Sequence, residues 1–418
     1  MTRPAPASDG DGPRLGIEDI RAARTRLDGA PDVVKRTPVE YSRSLSELVG
    51  GAVHLKMEHL QWTGSFKPRG AYNAIAQLAD EDGARPVVAA SAGNHAQGVA
   101  LAGTELGVDV TIVMPKTAPQ TKIDATAGYG AEVVLEGRDF RGAMDHARSL
   151  VDGTDAAFIH AYDDPDIVAG QGTLGLELYE DCPTLDTVVV PIGGGGLVSG
   201  VATALSHVAP DVRVVGVQAE GAATVPDSLD KGAPHTVADV DTVADGIATG
   251  GISALTYDHI ADHVDQVVTV TDDEISRAVL VLLERAKQVV EGAGAASVAA
   301  LLGDDLDVAD ETVVPLLSGG NLDMTMLRTI VTHALTEREQ LIRLRIRIDD
   351  EPGKMEEIAG VIADHGANIR TVRHDREVED LTIGEAYLDF HIQTSGHEQT
   401  ARIVTGMEER GYAVTRLN

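Results

Sequence analysis

Residues 61–73 read QWTGSFKPRGAYN, and Lys67 lies at the centre of this stretch. Lysine is scarce in this chain, which has eight lysines among its 34 basic residues. Lys67 stands between Phe66 and Pro68 in a run of small and apolar residues. Partial burial in such a setting disfavours the ammonium form and leaves an amine that can react with an aldehyde. An isolated lysine is usually exposed, so the importance of Lys67 depends on agreement with motifs elsewhere in the chain.

Four further motifs lie far from this stretch in the sequence. They are SAGNHAQG (91–98), GGGGL (193–197), EGAGAA (291–296) and SGGN (318–321). Together with SFKPRGA (65–71), they resemble the motifs of the threonine/serine dehydratase family and occur in the same order. The similarity covers nearly all of residues 15–335. It implies an α/β fold of two parallel-sheet lobes (tryptophan-synthase-β-like, fold type II) and the cofactor pyridoxal 5'-phosphate.

The distribution of apolar runs supports this fold class independently. Short runs alternate with helical patterns at 52–58, 86–91, 110–115, 131–137, 156–162, 187–196, 212–220, 264–270 and 312–320. Continuous Val and Ile runs separated by helices predict strands buried on both faces, and therefore a parallel sheet. Ligands bind at the carboxyl ends of such strands. The SAGN, GGGG and SGGN motifs fall at those ends, which favours a binding site over a set of packing glycines.

The loop Gly193–Gly196 follows the strand pattern TVVVPI and opens a helical pattern. Glycines permit positive φ, so successive N–H groups can point into one concavity and hold a phosphate at the helix N-terminus. A glycine run alone indicates phosphate binding weakly, because such runs also serve close packing. The resemblance assigns Gly193, Gly194, Gly195, Gly196 and Leu197 to the cofactor phosphate.

The resemblance also assigns roles around the cofactor ring. Lys67 is expected to hold the cofactor and to act as the general base that removes the substrate Cα proton. Asn94 is expected to contact the ring hydroxyl, and Phe66 one face of the ring. Ser318 is expected to face the pyridine nitrogen, where a neutral hydroxyl leaves the nitrogen largely unprotonated. Such a weaker electron sink suits β-elimination better than transamination.

The motif at 91–95 is expected to bind the substrate. Its residues are Ser91, Ala92, Gly93, Asn94 and His95, and backbone N–H groups at a helix start suit a carboxylate. The alternative for Asn94 is a helix-capping role without a ligand. For the side chain of His95 we expect a structural role. Glu291, which lies near the site in similar proteins, is expected to support it.

The resemblance implies β-elimination from a hydroxy amino acid such as L-threonine or L-serine, with release of a 2-oxo acid and ammonia. Serine racemases share most motifs but carry a second hydroxyl directly before Gly-Asn-His, where this chain has Ala92. Racemisation is therefore disfavoured, while a hydroxyaspartate ammonia-lyase stays open. Some similar proteins bind a divalent cation near the position of Glu220, and we assign no metal here. A non-catalytic amino-acid sensor is the alternative from another class, against which Lys67 and Ser318 argue.

The hydrophobic period changes after residue 340. LIRLRIRI (341–348) alternates strictly, with Ile and Leu on one face and arginines on the other. A helical stripe at 355–362, strands at 367–374 and 385–394, a helix at 396–410 and a last strand at 412–417 complete the order βαββαβ. This order is the ferredoxin-like arrangement.

Residues 341–418 resemble an ACT domain, a small-molecule sensor often attached to amino-acid enzymes. The resemblance implies pairing across subunits, so we expect a dimer or tetramer. It also implies an amino-acid effector, with isoleucine and valine as candidates, bound at the turn Asp349–Lys354. The alternative is a domain used only for oligomerisation. The sequence thus predicts a disordered segment 1–14, a catalytic domain 15–335 with its smaller lobe inserted at about 60–155, and a regulatory domain 341–418.

The chain is strongly acidic, with a net charge of −32, yet 43% of its residues are hydrophobic. The acidic residues must therefore coat a folded surface, which repels nucleic acid and anionic membranes. This excess, and that of Arg over Lys, suggests a salt-rich cytoplasm. Unfolding in low salt would support that hypothesis and full stability there would contradict it. An ordinary acidic enzyme is the alternative.

The remaining sequence features concern the cellular compartment. Cys182 is the single cysteine, so no internal disulfide can form and a reducing cytosol fits. The segment MTRPAPASDGDGP (1–13) has no apolar core and is neither a signal peptide nor an anchor. No run of about 18 apolar residues occurs, so the sequence predicts no spanning helix.

Overall fold

The computed structural model describes residues 15–83 and 85–417, so the expectation for residues 1–14 lies outside the described residues. The chain divides into two units, with unit 1 ending at Asp323 and unit 2 beginning at Met324. The sequence placed this boundary between residues 335 and 341. The helix Met324–Glu337 belongs to unit 2 instead, because it packs against the strand Leu341–Asp349.

Unit 1 contains two sheets whose strands are mostly parallel. The strands, in chain order, are β1 (Val39–Tyr41), β2 (Ala52–Lys56), β3 (Val87–Ala90), β4 (Val110–Met114), β5 (Glu132–Leu135), β6 (Ala157–Phe158), β7 (Thr187–Pro191), β8 (Arg213–Ala219), β9 (Gln266–Val270) and β10 (Thr312–Pro315). The larger sheet has the order β1-β2-β10-β7-β8-β9, in which only β1 is antiparallel to its neighbour. The smaller sheet has the order β5-β4-β3-β6 and is parallel throughout. The predicted parallel α/β architecture is confirmed.

Helices cover the sheets of unit 1, as continuous apolar strands require. In chain order they are α1 (Ile17–Asp28), α2 (Arg43–Val49), α3 (Pro68–Asp82), α4 (Asn94–Leu106), α5 (Gln120–Gly128), α6 (Phe140–Val151), α7 (Pro165–Asp181), α8 (Gly196–Val208), α9 (Val225–Lys231), α10 (Ala254–His263), α11 (Asp272–Val281) and α12 (Gly292–Leu302). Strand β7 is buried along its whole length. Among the described residues, no helix is both long and apolar enough to cross a lipid bilayer.

The carboxyl ends of the parallel strands carry the motifs that the sequence analysis identified. Ser91 follows β3, the loop Gly193–Gly196 follows β7, and Ser318 follows β10. Strands β10 and β7 are direct neighbours in the larger sheet, so Ser318 and the glycine loop lie at the same edge. Each sheet thus presents its motifs where a ligand would bind.

One predicted strand is much shorter than expected. The apolar run at 156–162 forms a strand only at Ala157–Phe158. Beyond it the chain turns, because the His160 side chain accepts hydrogen bonds from the N–H groups of Tyr162 and Asp163, at 3.3 and 2.8 Å. The residues after Phe158 therefore form a loop and not a longer edge strand.

The described part of unit 2 contains one antiparallel sheet and three helices. Its elements are α13 (Met324–Glu337), β11 (Leu341–Asp349), α14 (Lys354–Asp364), β12 (Asn368–Asp375), β13 (Glu385–Gln393), α15 (His397–Glu408) and β14 (Ala413–Arg416). The strand order is β12-β13-β11-β14. Ile342, Leu344, Ile346 and Ile348 are buried in a core with residues of α14 and α15. The predicted order βαββαβ over residues 341–417 is confirmed, while the ACT assignment stays a prediction.

Candidate active site

Lys67 lies directly before α3, and several backbone contacts fix its position. The Phe66 N–H donates to the Ser318 carbonyl at 3.1 Å, which ties this segment to the end of β10. Helix α4 approaches closely at Gly98, where an added Cβ would lie 3.1 Å from the Lys67 Cβ. The Lys67 Nζ donates to the Ala161 carbonyl at 3.2 Å and lies 5.0 Å from the centre of the Phe66 ring. The amine therefore faces both lobes of unit 1.

The environment of Lys67 favours a neutral amine. Burial lowers the pKa of Lys67 to about 8, and the nearby Glu291 carboxylate opposes this shift. An amine with such a pKa is partly unprotonated near neutral pH, so it can act as a nucleophile or as a base. The electrostatics agree with the role that the sequence predicted for this lysine.

A buried ion-pair cluster holds the start of α3, and we call it the Arg69 cluster: Lys56, Glu58, Arg69 and Glu177. The Arg69 guanidinium donates to both oxygens of Glu58 at 2.8 and 2.9 Å and to Glu177 at 2.7 Å. The Lys56 Nζ donates to Glu177 at 2.6 Å. None of the four residues is more than 4% exposed. Two cations balance two carboxylates, so the cluster is neutral and anchors α3 to the segment after β2 and to α7.

The glycine loop between β7 and α8 has no room for side chains. An added Cβ at Gly194 would lie 2.2 Å from the Tyr162 ring, and one at Gly193 would lie 3.0 Å from the Ile247 Cα. Gly195 has φ of +90°. Among the described residues, no side chain caps the N-terminus of α8, and the Thr256 hydroxyl donates to the Gly194 carbonyl at 2.8 Å. The loop thus combines fixed glycines with uncapped helix N–H groups, which is the arrangement that binds phosphate.

Asn94 is part of a hydrogen-bond chain with Glu291 and Asn321. Its Nδ2 donates to Glu291 Oε1 at 2.7 Å, and its Oδ1 accepts from Asn321 Nδ2 at 2.8 Å. Asn321 Nδ2 also donates to the Thr63 carbonyl at 2.6 Å. Asn94 is the first residue of α4, whose N-cap is Gly93 without any side-chain cap. The alternative of a capping Asn94 is therefore wrong.

Glu291 lies just before α12 and is partly buried. Burial raises the pKa of Glu291 to about 7, although the hydrogen bond from Asn94 favours the carboxylate. Its backbone N–H donates to the Gly319 carbonyl at 3.1 Å, so this residue links the EGAGAA and SGGN motifs. Glu291 can therefore change its protonation state near neutral pH while it orients Asn94.

The segment Ser91–His95 borders open space. An added Cβ at Gly93 would meet no atom of the described part of the chain within 4 Å, and the Gly93 N–H donates to the Ser91 hydroxyl at 3.1 Å. The Ala92 side chain packs against the core of the smaller lobe. The His95 Nε2 donates to the Ile159 carbonyl at 3.1 Å, and burial lowers the pKa of His95 to about 3. Its ring is thus neutral and structural, which leaves the backbone of this segment and the side chain of Asn94 as the groups that can meet a ligand.

The other predicted cofactor residues belong to the larger lobe, across from the segment Ser91–His95. Ser318 is only 3% exposed at the end of β10. The side chains of Leu197 and Phe66 pack against the core of the larger lobe. For Leu197 this leaves the backbone as the group that can face a phosphate. The structure thus brings all of the predicted residues to the region between the two sheets of unit 1.

Sequence reasoning missed three residues of this site. Ala161 supplies the carbonyl that meets Lys67, Tyr162 covers the glycine loop, and Asn321 holds Asn94. Asn321 stands inside the SGGN motif, which was a usable signal. Ala161 and Tyr162 carried no signal, because their run was interpreted as a strand.

The residues present fit pyridoxal phosphate. The amine of Lys67 can hold the aldehyde, and the glycine loop with its uncapped helix start can hold the phosphate. Ser318 offers a neutral hydroxyl at the neighbouring strand end. This donor set of one amine, several backbone N–H groups and one hydroxyl corresponds to the functional groups of the cofactor.

Comparison with known proteins agrees with this fit. Residues 31–319 match the model of the family described as pyridoxal-phosphate dependent enzyme. A protein from Thermotoga maritima named L-threonine ammonia-lyase is 44% identical over 400 residues, which cover 96% of this chain and 99% of that protein. The solved structure of processed threonine deaminase isoform 2 from Solanum lycopersicum has a TM-score of 0.72 and 35% identity, and covers 80% of this chain and 99% of its own. The structure of maize serine racemase has a TM-score of 0.72 and 34% identity, and the match covers 78% of this chain and 100% of the racemase chain.

Proposed function

We propose that this chain, which belongs to the pyridoxal-phosphate-dependent enzyme family, is an L-threonine ammonia-lyase. It converts L-threonine to 2-oxobutanoate and ammonia by β-elimination, and L-serine is a second substrate. The observation that carries the proposal is the Lys67 amine, whose pKa burial lowers to about 8 between the glycine loop and the Asn94 segment. The resemblance of the sequence motifs and the relatives of that name give the reaction its identity.

The chemistry divides between the cofactor and the residues of this chain. Pyridoxal phosphate, when bound, supplies an aldehyde for the amino group and a ring that withdraws electrons from the substrate Cα. Lys67 holds the aldehyde in the resting enzyme, and its Nζ afterwards accepts the proton from Cα. The surroundings that lower its pKa make the unprotonated amine available for this transfer.

We assign the remaining cofactor contacts to four positions. The N–H groups of Gly193–Gly196 and the start of α8 hold the phosphate, and Ser318 faces the ring nitrogen. Asn94 contacts the ring hydroxyl and Phe66 covers one ring face. Because Asn94 already donates to Glu291 and accepts from Asn321, these two residues fix the orientation of its amide.

The segment Ser91–His95 is the proposed site for the substrate carboxylate. The start of α4 lies within it, and the open space at Gly93 leaves room for a ligand. Ala92 offers no hydroxyl that could exchange a proton on the opposite face of Cα. This residue favours elimination over the racemisation named for the similar maize protein.

The test is to add L-threonine to the pyridoxal-phosphate-loaded enzyme while the visible spectrum and the release of 2-oxobutanoate are recorded. We expect a spectral change and product from threonine, slower turnover of L-serine and no D-serine from L-serine. A spectral change without product would retain the cofactor and redirect the search to hydroxyaspartate. No cofactor band at all would overturn the proposal in favour of an amino-acid sensor.

We further propose that unit 2 is an ACT domain that binds an amino-acid effector in a homo-oligomer. The turn between β11 and α14 contains Gly353 with φ of +96°, and this turn (Asp349–Lys354) is the proposed effector site. Isoleucine and valine are the candidates. Gly353→Val places a branched side chain at a left-handed position, so it should abolish the effector response and spare basal turnover. An unchanged response would contradict the site.

We also propose a cytoplasmic location. The single cysteine, Cys182, is buried and free, which suits a reducing compartment.

A further inference from the structure

A cleft in unit 2 takes no part in the reaction described above. It lies between α13 and the sheet face opposite α14 and α15, and its volume is about 730 Å³. Pockets of this size hold ligands much larger than a single amino acid. The cleft is also separate from the turn Asp349–Lys354, none of whose residues lines it.

The lining of the cleft is basic in an otherwise acidic protein. Arg328 on α13, Arg343 on β11 and Arg370 on β12 line it, together with His333 and His391. No acidic residue is among the described residues that line this cleft. In a chain of net charge −32, a concave surface with three arginines and no carboxylate is an unusual concentration of positive charge.

The arginines of the cleft differ from their neighbours on the same sheet face. Arg345 forms two hydrogen bonds of 2.8 Å with Asp389, and Arg347 pairs with Glu385. Within residues 15–83 and 85–417, no carboxylate lies within ion-pair distance of the three cleft arginines. Their guanidinium donors are therefore available to a ligand.

The sheet register brings the donors of the cleft together. Arg343 lies opposite His391 on β13, and His391 lies opposite Thr371 on β12. The register of β12 shifts between Ile369 and Thr371, which leaves Arg370 as the extra residue of a β-bulge. Bulges re-aim side chains and are common beside binding sites. Here the bulge adds Arg370 to the cleft that Arg343 and His391 already line.

The charges of the cleft act on His391. Burial lowers the pKa of His391, and the positive charges of Arg343, Arg373 and Arg370 lower it further. The ring is consequently neutral at neutral pH, so it can donate or accept one hydrogen bond without adding charge. Two of these arginines, Arg343 and Arg370, line the cleft together with His391, whereas Arg373 does not, and the Asp389 carboxylate opposes the shift.

We propose that this cleft binds a small molecule with two or more phosphate groups, of the class of nucleoside di- and triphosphates. Guanidinium groups bind phosphate oxygens in a bidentate manner, and three of them match several phosphate groups. The hydroxyls of Thr332 and Thr371 add neutral donors, and Leu341 and Leu417 give the cleft an apolar part. A ligand with one charged end and one less polar end complements this lining.

The experiment uses the full-length, cofactor-loaded enzyme, so that the glycine loop of the active site is already occupied. Equilibrium binding of ATP, tripolyphosphate and adenosine is measured by calorimetry, at an ionic strength at which the enzyme stays folded. The same titrations are repeated with the double variant Arg343→Gln and Arg370→Gln. Arg402→Gln is the matched control, because Arg402 is exposed on α15 and does not line the cleft.

We expect saturable binding of ATP and tripolyphosphate that weakens with added salt, and no binding of adenosine. The double variant should bind ATP at least tenfold more weakly, while Arg402→Gln should match the unmodified enzyme. Turnover of L-threonine without ligand should be the same in all three proteins, which separates this test from that of the proposed reaction. Absence of saturable ATP binding, equal affinity in the double variant, or adenosine binding as tight as that of ATP would each overturn the proposal.

Discussion

Lys67 and Arg69 are separated by a single residue, yet the surrounding protein disfavours the positive charge of Lys67 and stabilises that of Arg69. Arg69 is 1% exposed and its guanidinium is matched by Glu58 and Glu177. Burial alone would disfavour the cation, but both carboxylates outweigh it, so the pKa of Arg69 is raised. The Lys67 Nζ has only the Ala161 carbonyl as hydrogen-bond partner among the described residues, and burial lowers the pKa of Lys67. Pairing makes one cation structural, and the lack of pairing makes the other reactive.

The comparison shows how a buried charge can be used. A matched buried ion pair contributes little net stability compared with an apolar pair, but removal of one partner is strongly destabilising. The Arg69 cluster therefore locks the start of α3 in one place. Lys67 precedes that helix directly. The neutral cluster therefore positions an amine that has no ion-pair partner of its own among the described residues.

The largest effect should come from removal of the amine. Lys67→Ala should lower turnover of L-threonine by roughly a thousandfold or more, because it removes both the cofactor-holding group and the base. The measurement is 2-oxobutanoate release, with circular dichroism to verify the fold. Lys67→Arg is the control for charge, and it should be equally inactive because a guanidinium does not give up its proton.

Removal of a carboxylate from the Arg69 cluster should act on stability instead. Glu58→Gln removes a buried carboxylate that pairs with Arg69 and should lower the free energy of unfolding by about 3–5 kcal/mol. Urea denaturation of the cofactor-free and cofactor-loaded enzyme measures this change. A loss below about 1 kcal/mol would show that the cluster is not the anchor of α3.

The same cluster should give the protein a defined sensitivity to acid. Burial would raise the pKa of Glu177, but Arg69 and Lys56 outweigh it and hold this pKa at about 2, below the ordinary value of 4.5. The resulting stability is fully present above pH 4.5 and is lost as the pH falls towards 2, with a magnitude of about 3 kcal/mol. Unfolding free energies measured between pH 6 and 3 should decline accordingly. Glu177→Gln should flatten that decline.

A smaller effect is expected from Glu291, which faces the uncompensated amine. Glu291→Gln should reduce kcat/KM about tenfold, because Asn94 exchanges a charged acceptor for a weaker, neutral amide oxygen and the site loses alignment. The carboxylate opposes the lowering of the Lys67 pKa, so its removal should move the rising limb of the pH–rate profile from near 8 to lower pH. A profile that moves to higher pH would contradict this electrostatic account.

The smallest effect should come from an exposed pair. Arg43 and Glu47 form an i,i+4 ion pair of 2.8 Å on α2 with both side chains largely exposed. Arg43→Gln should leave the free energy of unfolding, measured by urea denaturation, unchanged within experimental error, since exposed pairs contribute little in water. The loss of one charge should therefore have little effect in this exposed pair and a large effect in the buried Arg69 cluster.

The sequence was sufficient to find Lys67 and the motifs that meet it. Gly193–Gly196 and Ser318 were recognisable because they fall at strand ends and occur, together with Lys67, in the order of motifs that the resemblance to the dehydratase family supplies. The parallel sheets followed from continuous Val and Ile runs, and the C-terminal order βαββαβ from strict alternation at 341–348.

The sequence did not indicate which distant residues contact one another in the fold. Arg69 and Glu177 are 108 residues apart, and no local pattern indicates which carboxylate meets which cation. Tyr162 carried no recognisable signal, because its backbone N–H and that of Asp163 donate to the His160 side chain and the strand ends at Phe158. The boundary before α13 was misplaced because an amphipathic helix carries no signal of the unit against which it packs.

The most direct test of the contrast between the two cations is chemical rescue of Lys67→Ala. Release of 2-oxobutanoate from L-threonine is followed in the cofactor-loaded variant while methylamine is added at pH 8 to 9. The account predicts no measurable turnover without the amine and a rate that rises with the concentration of unprotonated methylamine. Turnover at the rate of the unmodified enzyme without any added amine would contradict it.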